Sequence, residues 1–492
     1  MIRTVLVANR GEIALRVLRS CRELGLRTVA VYSEADRWAN YVAQADESHL
    51  LGPAAPAESY LRIDRILEIA KKSKADAIHP GYGFLAENAD FAEACAKARV
   101  RFIGPRAESI RAVGNKIEAR RLAEKNGIPV IPGVSRAVDA REAAEFGRSQ
   151  GFPILLKAAA GGGGRGQRVV RSEGEIGRAM REAEAEAAAA FGDGTLFVEK
   201  YVAKPRHVEI QILADARGNT VHLGERECSI QRRHQKLVEE SPSPGVDDAL
   251  RARMGEAAVR IARLVGYENA GTCEFLVRDG EFWFLEVNTR LQVEHPVTEM
   301  VTGLDLVKLQ IAVASGGKLP LAQEDVRRRG HAIEARVCAE DPFSNFAPSM
   351  GEIAGVRLPG GPFVRVDTDL APRTHVTAHY DSLLAKVIAW GADRADAIDR
   401  LARALREFKI VGVQTTIPFH LQLLADARFR SGDVHTKFVE DGFPLRNGRA
   451  EREREAAALA AAIEAQRRRS ASPAAAATPL TPWQTSLREE LK

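Results

Sequence analysis

Residues 4–14, with the sequence TVLVANRGEIA, give the first indication of the fold. The run Thr4–Ala8 predicts a strand, Gly11 stands at the turn after it, and Glu12–Leu24 has a helical pattern. The same alternation continues to residue 103. It predicts further strands at Thr28–Tyr32, Ala75–His79 and Arg101–Ile103 and further helices at Ile63–Lys72 and Ala89–Ala98. Strands separated by helices in this way imply a parallel, doubly wound sheet.

Two strand-to-helix turns of this region are candidate ligand-binding positions. The first contains Gly11, and the second is HPGYGF at residues 79–84. Ligands gather at the carboxyl ends of the strands in such sheets, so we expect both turns to face a site. The first strand is not followed by G-x-G-x-x-G, which makes a dinucleotide site a weak interpretation.

The composition is that of an ordinary globular protein. The 492 residues exceed what one core accommodates, and this length suggests roughly two to four domains. The residues are 45% hydrophobic and 28% charged, and the net charge is only +5. Basic and acidic residues alternate, which favours solvated helix faces over a nucleic-acid partner.

The cysteines and the absence of long apolar runs indicate a cytoplasmic protein without membrane contact. The cysteines are Cys21, Cys95, Cys228, Cys273 and Cys338. No Cys-x-x-Cys occurs, so we expect small core residues rather than a zinc site or a disulfide framework. The apolar run at the N-terminus is too short for a signal peptide, and no stretch approaches the roughly 20 apolar residues of a membrane span.

Changes of composition divide the chain into an α/β domain, two α+β domains and a tail. The expected limits are 1–113, 114–329, 330–445 and 446–492. The central domain is expected to contain a helix at Lys116–Asn126 and strands at Pro153–Lys157, Thr195–Glu199, His207–Leu213 and Thr220–Glu225. In the tail, Glu451–Arg469 predicts a helix and Ser470–Pro482 a flexible linker.

A glycine run directly after a predicted strand indicates phosphate binding. The strand ends at Lys157, and residues 161–166 read GGGGRG. Glycine disfavours regular structure by roughly 1 kcal/mol, but it lets backbone N–H groups approach phosphates and lets a hairpin close over a nucleotide. Lys157 adds a point charge. A flexible linker is the alternative, and a Walker A loop is excluded because no Gly-Lys-Ser/Thr follows.

Three further stretches are candidates for a nucleotide cleft. Thr195–Val202 resembles a strand running into a hinge that could hold an adenine, with Glu199 accepting from the amine, although an edge strand is equally compatible. In His207–Ile212, a period of two aligns three polar side chains on one face, which suggests a cleft wall or a solvated face. Glu227–Lys236 concentrates cations; a surface charge run is the usual interpretation, but its His and Lys suit polyphosphate or bicarbonate.

The stretch Phe282–Asn288 is the strongest candidate for a metal site. A buried apolar strand ends there in Glu286 and Asn288, which share a face. Buried carboxylates are unfavourable unless paired or bound to metal, and oxygen ligands of this type suit Mg²⁺. Residues 273–287 predict a hairpin that brings Glu274 across from Glu286. A three-residue loop would put the two carboxylates on one face, and a two-residue loop would put them on opposite faces.

Six motifs together resemble the biotin carboxylase component of biotin-dependent carboxylases, an ATP-grasp enzyme. They are Ala8–Ala14, His79–Leu85, Gly161–Gly166, Arg206–Glu209, Gln231–Lys236 and Glu286–His295. The resemblance covers the chain to about residue 445, and the combination is specific although no single motif is. It implies a central ATP-grasp domain with a glycine-rich lid at about 130–203. It also implies a homodimer that meets through the helix near Arg19 and Glu23 and the C-terminal region.

The resemblance implies site roles. ATP would be held by Lys116, Lys157, Gly163, Gly164, Glu199, Lys200, Tyr201, Val202, His207, His234 and Lys236. Two Mg²⁺ or Mn²⁺ ions would be bound by Glu274, Glu286 and Asn288. Bicarbonate would be held by Lys236, Arg290 and the backbone of Val293. Arg336 would position the biotin or carboxyphosphate end, and Tyr82 would form a wall of the biotin pocket.

The implied reaction has two steps. Glu294 deprotonates bicarbonate, which attacks the γ-phosphorus of ATP and gives carboxyphosphate. This intermediate breaks down, the N1′ proton of biotin is removed, and biotin attacks CO₂, while Arg290 stabilises the enolate on the ureido oxygen. The product would serve an acetyl-CoA or other acyl-CoA carboxylase, as in fatty acid biosynthesis, although the sequence does not identify the final acceptor.

The partners follow from a missing motif. None of the five methionines is followed by Lys, so biotin is expected on a separate carrier protein, together with a separate carboxyltransferase. Residues 470–492 are a candidate docking segment for one of these partners. Two departures from the family, Gln167 in place of Met and Met350 in place of Pro, do not touch the implied chemistry.

Two other classes of protein are compatible with some of these motifs. Another ATP-grasp ligase, of the carbamoyl-phosphate or purine-pathway carboxylating type, would share the glycine loop and the metal strand but has no need of the Arg290–His295 sequence. A non-catalytic nucleotide-binding regulator would not need candidate residues at every chemical position.

Overall fold

The computed structural model describes residues 2–159, 166–447 and 449–470. The chain divides into a large unit, Met1–Phe443, and a smaller one that begins at Pro444.

The N-terminal region forms the predicted parallel sheet, in the order β3-β2-β1-β4-β5. Its strands are β1 (Thr4–Val7), β2 (Arg27–Ser33), β3 (Glu47–Gly52), β4 (Ala77–His79) and β5 (Arg101–Phe102). Its α-helices are α1 (Gly11–Glu23), α2 (Asn40–Gln44), α3 (Ile63–Lys72), α4 (Ala89–Lys97) and α5 (Ala107–Gly114). Strand β3 was not predicted from the sequence, because this half-exposed edge strand reads ESHLLG and lacks β-branched residues.

A three-stranded antiparallel sheet, in the order β7-β6-β8, lies in the predicted lid region. The elements here are α6 (Lys116–Lys125), α7 (Ala140–Gln150), β6 (Ile154–Ala158), β7 (Gln167–Val170), α8 (Ile176–Phe191) and β8 (Leu196–Lys200). One face of the sheet packs its aliphatic side chains against α7 and α8. The other face presents Leu155, Lys157 and Glu199 to a cleft. The predicted phosphate-binding residues Gly163 and Gly164 lie outside the described residues.

An eight-stranded antiparallel sheet joins the central and C-terminal regions, in the order β13-β12-β9-β10-β11-β14-β21-β19. The central elements are β9 (Arg206–Ala214), β10 (Thr220–Arg232), β11 (Gln235–Ser241), α9 (Asp248–Leu264), β12 (Asn269–Arg278), β13 (Glu281–Asn288), α10 (His295–Thr302) and α11 (Leu306–Ala314). The strand predicted at Thr220–Glu225 is therefore much longer, and the cationic segment Glu227–Lys236 forms the end of β10, a two-residue turn and the start of β11. Strand β9 buries Val208, Ile210 and Ile212 against α9, as its period of two predicted.

The C-terminal region extends the same sheet. Its elements are β14 (His331–Cys338), β15 (Glu340–Asp341), β16 (Ala347–Pro348), β17 (Gly351–Glu352), β18 (Gly355–Arg357), β19 (Val364–Thr368), β20 (His375–Val376), β21 (Leu383–Gly391), α12 (Arg394–Glu407), β22 (Lys409–Val411), α13 (Ile417–Ala425) and α14 (Ala427–Ser431). Strands β11 and β14 pair from Val238 to Ser241. Hydrogen bonds therefore cross the expected limit at residue 330.

The smaller unit contains α15 (Arg449–Ser470), which confirms the helix predicted at Glu451–Arg469. Its apolar side chains Leu459 and Ile463 are exposed. The predicted linker beyond it lies outside the described residues.

Most of the cysteines lie in the core, as predicted. All five cysteines are free, and four of them are buried. Within the described ranges, no helix has the length and apolar character needed to cross a membrane.

Candidate active site

The predicted site residues meet in one cavity of about 790 Å³. Its walls come from the lid sheet, the eight-stranded sheet and the turn after β4. The predicted residues that line it are Tyr82, Lys116, Lys157, Glu199, Lys200, Tyr201, Val202, His207, His234, Lys236, Glu274, Glu286, Asn288, Arg290, Val293 and Arg336. Glu294 is fully buried behind this lining. Residues far apart in the sequence thus form a single cleft.

The β12–β13 hairpin places Glu274 directly opposite Glu286 by an unexpected route. Its loop has two residues, because Arg278 pairs with Glu281. By alternation alone, that loop would put the two carboxylates on opposite faces. A β-bulge after Phe284 shifts the register by one residue and restores the pairing. The prediction that Glu274 and Glu286 share a face only with a three-residue loop was wrong, but their position on one face is confirmed.

The extra residue of this bulge is Leu285. Before it, Phe284 packs in the core beneath the sheet, and after it Val287 does the same. Leu285, Glu286 and Asn288 line the cavity instead. Without the bulge, Phe284 and Glu286 would share a face, so the bulge is what turns the carboxylate out of the core.

The ammonium of Lys236 lies among three buried carboxylates. Its Nζ is 2.7 Å from Glu209, 3.1 Å from Glu274 and 2.5 Å from Glu294. The second oxygen of Glu294 is 2.9 Å from Nη2 of Arg336. Burial by itself raises the pKa of Glu294, but the neighbouring cations, Lys236 first, outweigh it and hold that pKa well below its usual range. The two cations beside Glu294 therefore favour its ionised form.

The guanidinium of Arg290 is held in a fixed orientation at the cleft. Its Nε donates to Glu87 at 2.9 Å and its Nη1 to Gln292 at 2.8 Å. Glu87 follows the turn after β4 and also accepts from the N–H of Thr289 at 3.0 Å. The N-terminal sheet therefore orients the arginine, and no motif in the sequence pointed to Glu87.

Three more ion pairs organise the nucleotide side of the cleft. Lys116 lies 2.5 Å from Glu286. Glu199 accepts from Lys157 at 3.0 Å and from Arg120 at 2.7 Å. Both carboxylate oxygens of Glu199 thus contact a cation. No sequence pattern pointed to Arg120, because a single arginine in an amphipathic helix is typical of a surface residue.

The donor set fits a divalent cation. Glu274 and Glu286 come from directly paired positions, and Asn288 follows on the same face. All three offer hard oxygen donors, which Mg²⁺ prefers. The Nδ2 atom of Asn288 is buried and has no hydrogen-bond partner among the described residues. His207, with Nε2 3.1 Å from Glu274, and Glu209 lie close enough to Glu274 to act as neighbouring donors.

Three family models match nearly the whole length of the large unit. They are "Biotin carboxylase, N-terminal domain" over residues 1–110, "Carbamoyl-phosphate synthase L chain, ATP binding domain" over 115–322, and "Biotin carboxylase C-terminal domain" over 334–441. The order of these matches agrees with the order of the structural regions.

Individual relatives agree with the family models. A pyruvate carboxylase component of Methanothermobacter thermautotrophicus is 55% identical over 442 residues, 90% of this chain and 90% of that protein. Biotin carboxylase 1 of Bacillus subtilis is 54% identical over 443 residues, 89% of this chain and 98% of that protein. Among solved structures, the biotin carboxylase domain dimer of Hydrogenobacter thermophilus 2-oxoglutarate carboxylase, in complex with MgADP, ADP and bicarbonate, has a TM-score of 0.87. It is 46% identical and covers 90% of this chain and 98% of that one.

The lid, the central sheet and the cleft define the class as an ATP-grasp enzyme. The chain belongs to the biotin carboxylase family, and it is an ATP-dependent ligase. The expected three-domain biotin carboxylase fold is confirmed. The matches on both sides of the ATP-binding region do not favour the alternative of a carbamoyl-phosphate-type ligase.

Proposed function

We propose that this biotin carboxylase uses ATP and bicarbonate to carboxylate biotin on a separate carrier protein. The observation that carries the proposal is the contact of Glu294 with both Lys236 and Arg336, beside the paired Glu274 and Glu286. It joins a proton acceptor, two anion-binding cations and a metal-ligand pair in one cleft. A non-catalytic nucleotide-binding regulator would not require this combination.

The metal would be held by Glu274, Glu286 and Asn288. When bound, Mg²⁺ or Mn²⁺ neutralises charge on the phosphates and at the transferring γ-phosphoryl group. The lysines beside these carboxylates, Lys116 and Lys236, balance the charge of the acidic pair in the structure. Both lysines line the cavity and are placed to turn toward phosphate oxygens instead.

The nucleotide would lie between the lid sheet and the eight-stranded sheet. Its base would meet the strand end Glu199–Val202, and its phosphates would approach Lys116, Lys157, His207 and His234, all of which line the cavity. The glycines Gly163 and Gly164 would close over the phosphates. The apolar cavity residues Leu155, Val169 and Leu276 support this placement of the base.

Bicarbonate would bind between Lys236, Arg290 and the backbone of Val293. The ionised carboxylate of Glu294 would accept its proton as the bicarbonate oxygen attacks the γ-phosphorus. Arg290 is placed to attract the anion, because its guanidinium lines the cavity and is already oriented by Glu87 and Gln292.

Biotin would enter beside Tyr82 and Arg336. Removal of its N1′ proton creates negative charge on the ureido oxygen, and Arg290 would stabilise that charge without reorganisation. Arg336 is fixed for this role by Glu239 at 2.6 Å and Glu294 at 2.9 Å.

The assembly we propose contains a carrier protein, a carboxyltransferase and a second copy of this chain, in the cytoplasm. The chain spans 98% of the length of Biotin carboxylase 1 of Bacillus subtilis, which supports a separate carrier. The exposure of Arg19 and Glu23 on α1 is compatible with their placement in a dimer interface. Domain limits at 113, 329 and 445 are supported by family matches that end at 110, 322 and 441.

Two substitutions test the assigned roles. Arg290→Ala should leave nucleotide affinity near that of the wild type and abolish carboxylation of free biotin. Glu294→Gln should abolish bicarbonate-dependent ATP hydrolysis, because the base is removed. A coupled ADP assay with and without biotin measures the ATP hydrolysis of both variants. Arg260→Ala on the exposed face of α9 is the control. Biotin-stimulated hydrolysis in Arg290→Ala, or bicarbonate-dependent hydrolysis in Glu294→Gln, would contradict the assignment.

A further inference from the structure

The motif Ala8–Ala14 contains a buried carboxylate that the proposed reaction does not use. Glu12 lies in the first turn of α1 and is 7% exposed. Its Oε1 accepts a hydrogen bond from the hydroxyl of Tyr82 and lies 3.1 Å from Nζ of Lys386. Glu12 therefore links the turn after β4 to a lysine of the C-terminal region.

Lys386 is a fully buried residue of β21. Its Nζ donates to the main-chain carbonyl of Val293 at 2.9 Å and lies 3.8 Å from Asp367. With Glu12, these acceptors come from the N-terminal, central and C-terminal regions. A buried ammonium is strongly unfavourable without compensating partners. The ammonium of Lys386 therefore holds Glu12, Val293 and Asp367 close to one another.

The carbonyl of Val293 belongs to the same planar peptide unit as the N–H of Glu294. A donor that fixes this carbonyl therefore fixes the orientation of the peptide between the two residues. We infer that Lys386 is a positioning residue that holds the loop Arg290–Glu294. Glu12 fixes the ammonium of Lys386 and links it to the hydroxyl of Tyr82. The inference rests on the proposed function for the roles of Val293, Glu294 and Tyr82.

Substitution of the lysine should affect bicarbonate more than ATP. In Lys386→Met, the KM for bicarbonate should rise about tenfold or more, because displacements of about 1 Å can cost up to about 10²-fold. The Kd for ATP, measured without bicarbonate, should stay within about twofold. Glu12→Gln keeps the shape of the side chain and should raise the same KM by a smaller factor, about threefold.

Asp367→Asn is the matched control for a merely structural role. It removes charge from another buried carboxylate near Lys386, but it leaves the bond to Val293 and the link to Tyr82 intact. It should lower Tm, because Asp367 also pairs with Arg365 at 2.7 Å, and leave the KM for bicarbonate unchanged. An equal rise of that KM in Asp367→Asn and Glu12→Gln would overturn the positioning role.

Hydrogen exchange of residues 289–295 gives a measurement that does not depend on turnover. Faster exchange of these residues in Glu12→Gln and Lys386→Met, and not in Asp367→Asn, supports the inference. It does so even if biotin fails to stimulate ATP hydrolysis by the wild type. That failure would refute the proposed function alone. Wild-type exchange and a wild-type KM in Glu12→Gln would refute the inference even if Lys386→Met does not fold.

Discussion

Two hairpins line the cleft, and they turn through loops of equal length but different chemistry. Between β12 and β13 the loop is Asp279-Gly280, with φ of 52° and 78°. Between β10 and β11 it is Arg233-His234, with φ of 49° and 63°. Gly and Asp adopt positive φ readily, whereas for most other residues it costs about 1–2 kcal/mol each. The strained loop is the one whose His234 lines the cavity.

The strained loop is held by the C-terminal region. The N–H of Arg233 donates to Glu440 at 3.0 Å, and Arg232 donates to the carbonyl of Asn345 at 2.8 Å. The guanidinium of Arg232 also lies 4.7 Å from the ring centre of Phe346. Local turn chemistry is therefore enough to form the β12–β13 turn, whereas the β10–β11 turn depends on tertiary contacts, which keep His234 at the cleft.

The largest expected effect tests the metal site that we propose at the β12–β13 hairpin. Glu286→Gln removes a charged oxygen ligand, so kcat/KM for ATP should fall by about 10²-fold or more, with partial recovery at higher Mg²⁺. A steady-state ADP assay across a magnesium series measures both. Glu281→Gln, on the exposed start of the same strand, is the control. Equal activity and equal magnesium dependence in the two variants would remove Glu286 from the metal site.

A second effect concerns the strand that leads out of the strained hairpin. Glu240 on β11 lies 2.6 Å from both His331 and Arg394. Burial alone raises the pKa of Glu240, but these partners outweigh it and lower the pKa to about 2. Because the folded pKa lies below the unfolded one, the stabilisation is present above about pH 4.5 and is lost as pH falls toward 2.

Glu240→Gln should therefore lower stability by about 3 kcal/mol near pH 7 and flatten its decline between about pH 5 and 3. Thermal unfolding across that pH range measures the difference. A variant whose Tm falls with acid as steeply as the wild type would show that other groups carry the acid sensitivity.

The smallest effects sharpen the comparison of the two loops. Arg233→Gly relieves a left-handed backbone and should stabilise the protein by about 0.5–1 kcal/mol, whereas Gly280→Ala should destabilise it by a similar amount. A Cβ at Gly280 would meet no atom within 4 Å, so its cost is conformational only. Denaturant unfolding of both variants measures these changes in the free energy of unfolding. Shifts of the same sign would mean that backbone strain does not distinguish the loops.

Regular alternation made much of the fold predictable. The parallel N-terminal sheet, the buried face of β9 and the helix α15 all follow from hydrophobic period and turn residues. The edge strand β3 and the β10–β11 hairpin did not, because their sequences are polar and their order depends on neighbouring strands.

The candidate site divides in the same way. The sequence by itself determined which chemical groups are present, because Glu274, Glu286, Arg290 and Glu294 stand in motifs whose residue types suit metal, anion and proton. Only the tertiary structure decided how they meet. The bulge at Leu285 sets the face of Glu286, and contacts from Glu87 and Lys386 orient the Arg290–Glu294 loop. The physical reason is that register shifts and long-range ion pairs depend on strands and side chains distant in sequence, which no local pattern records.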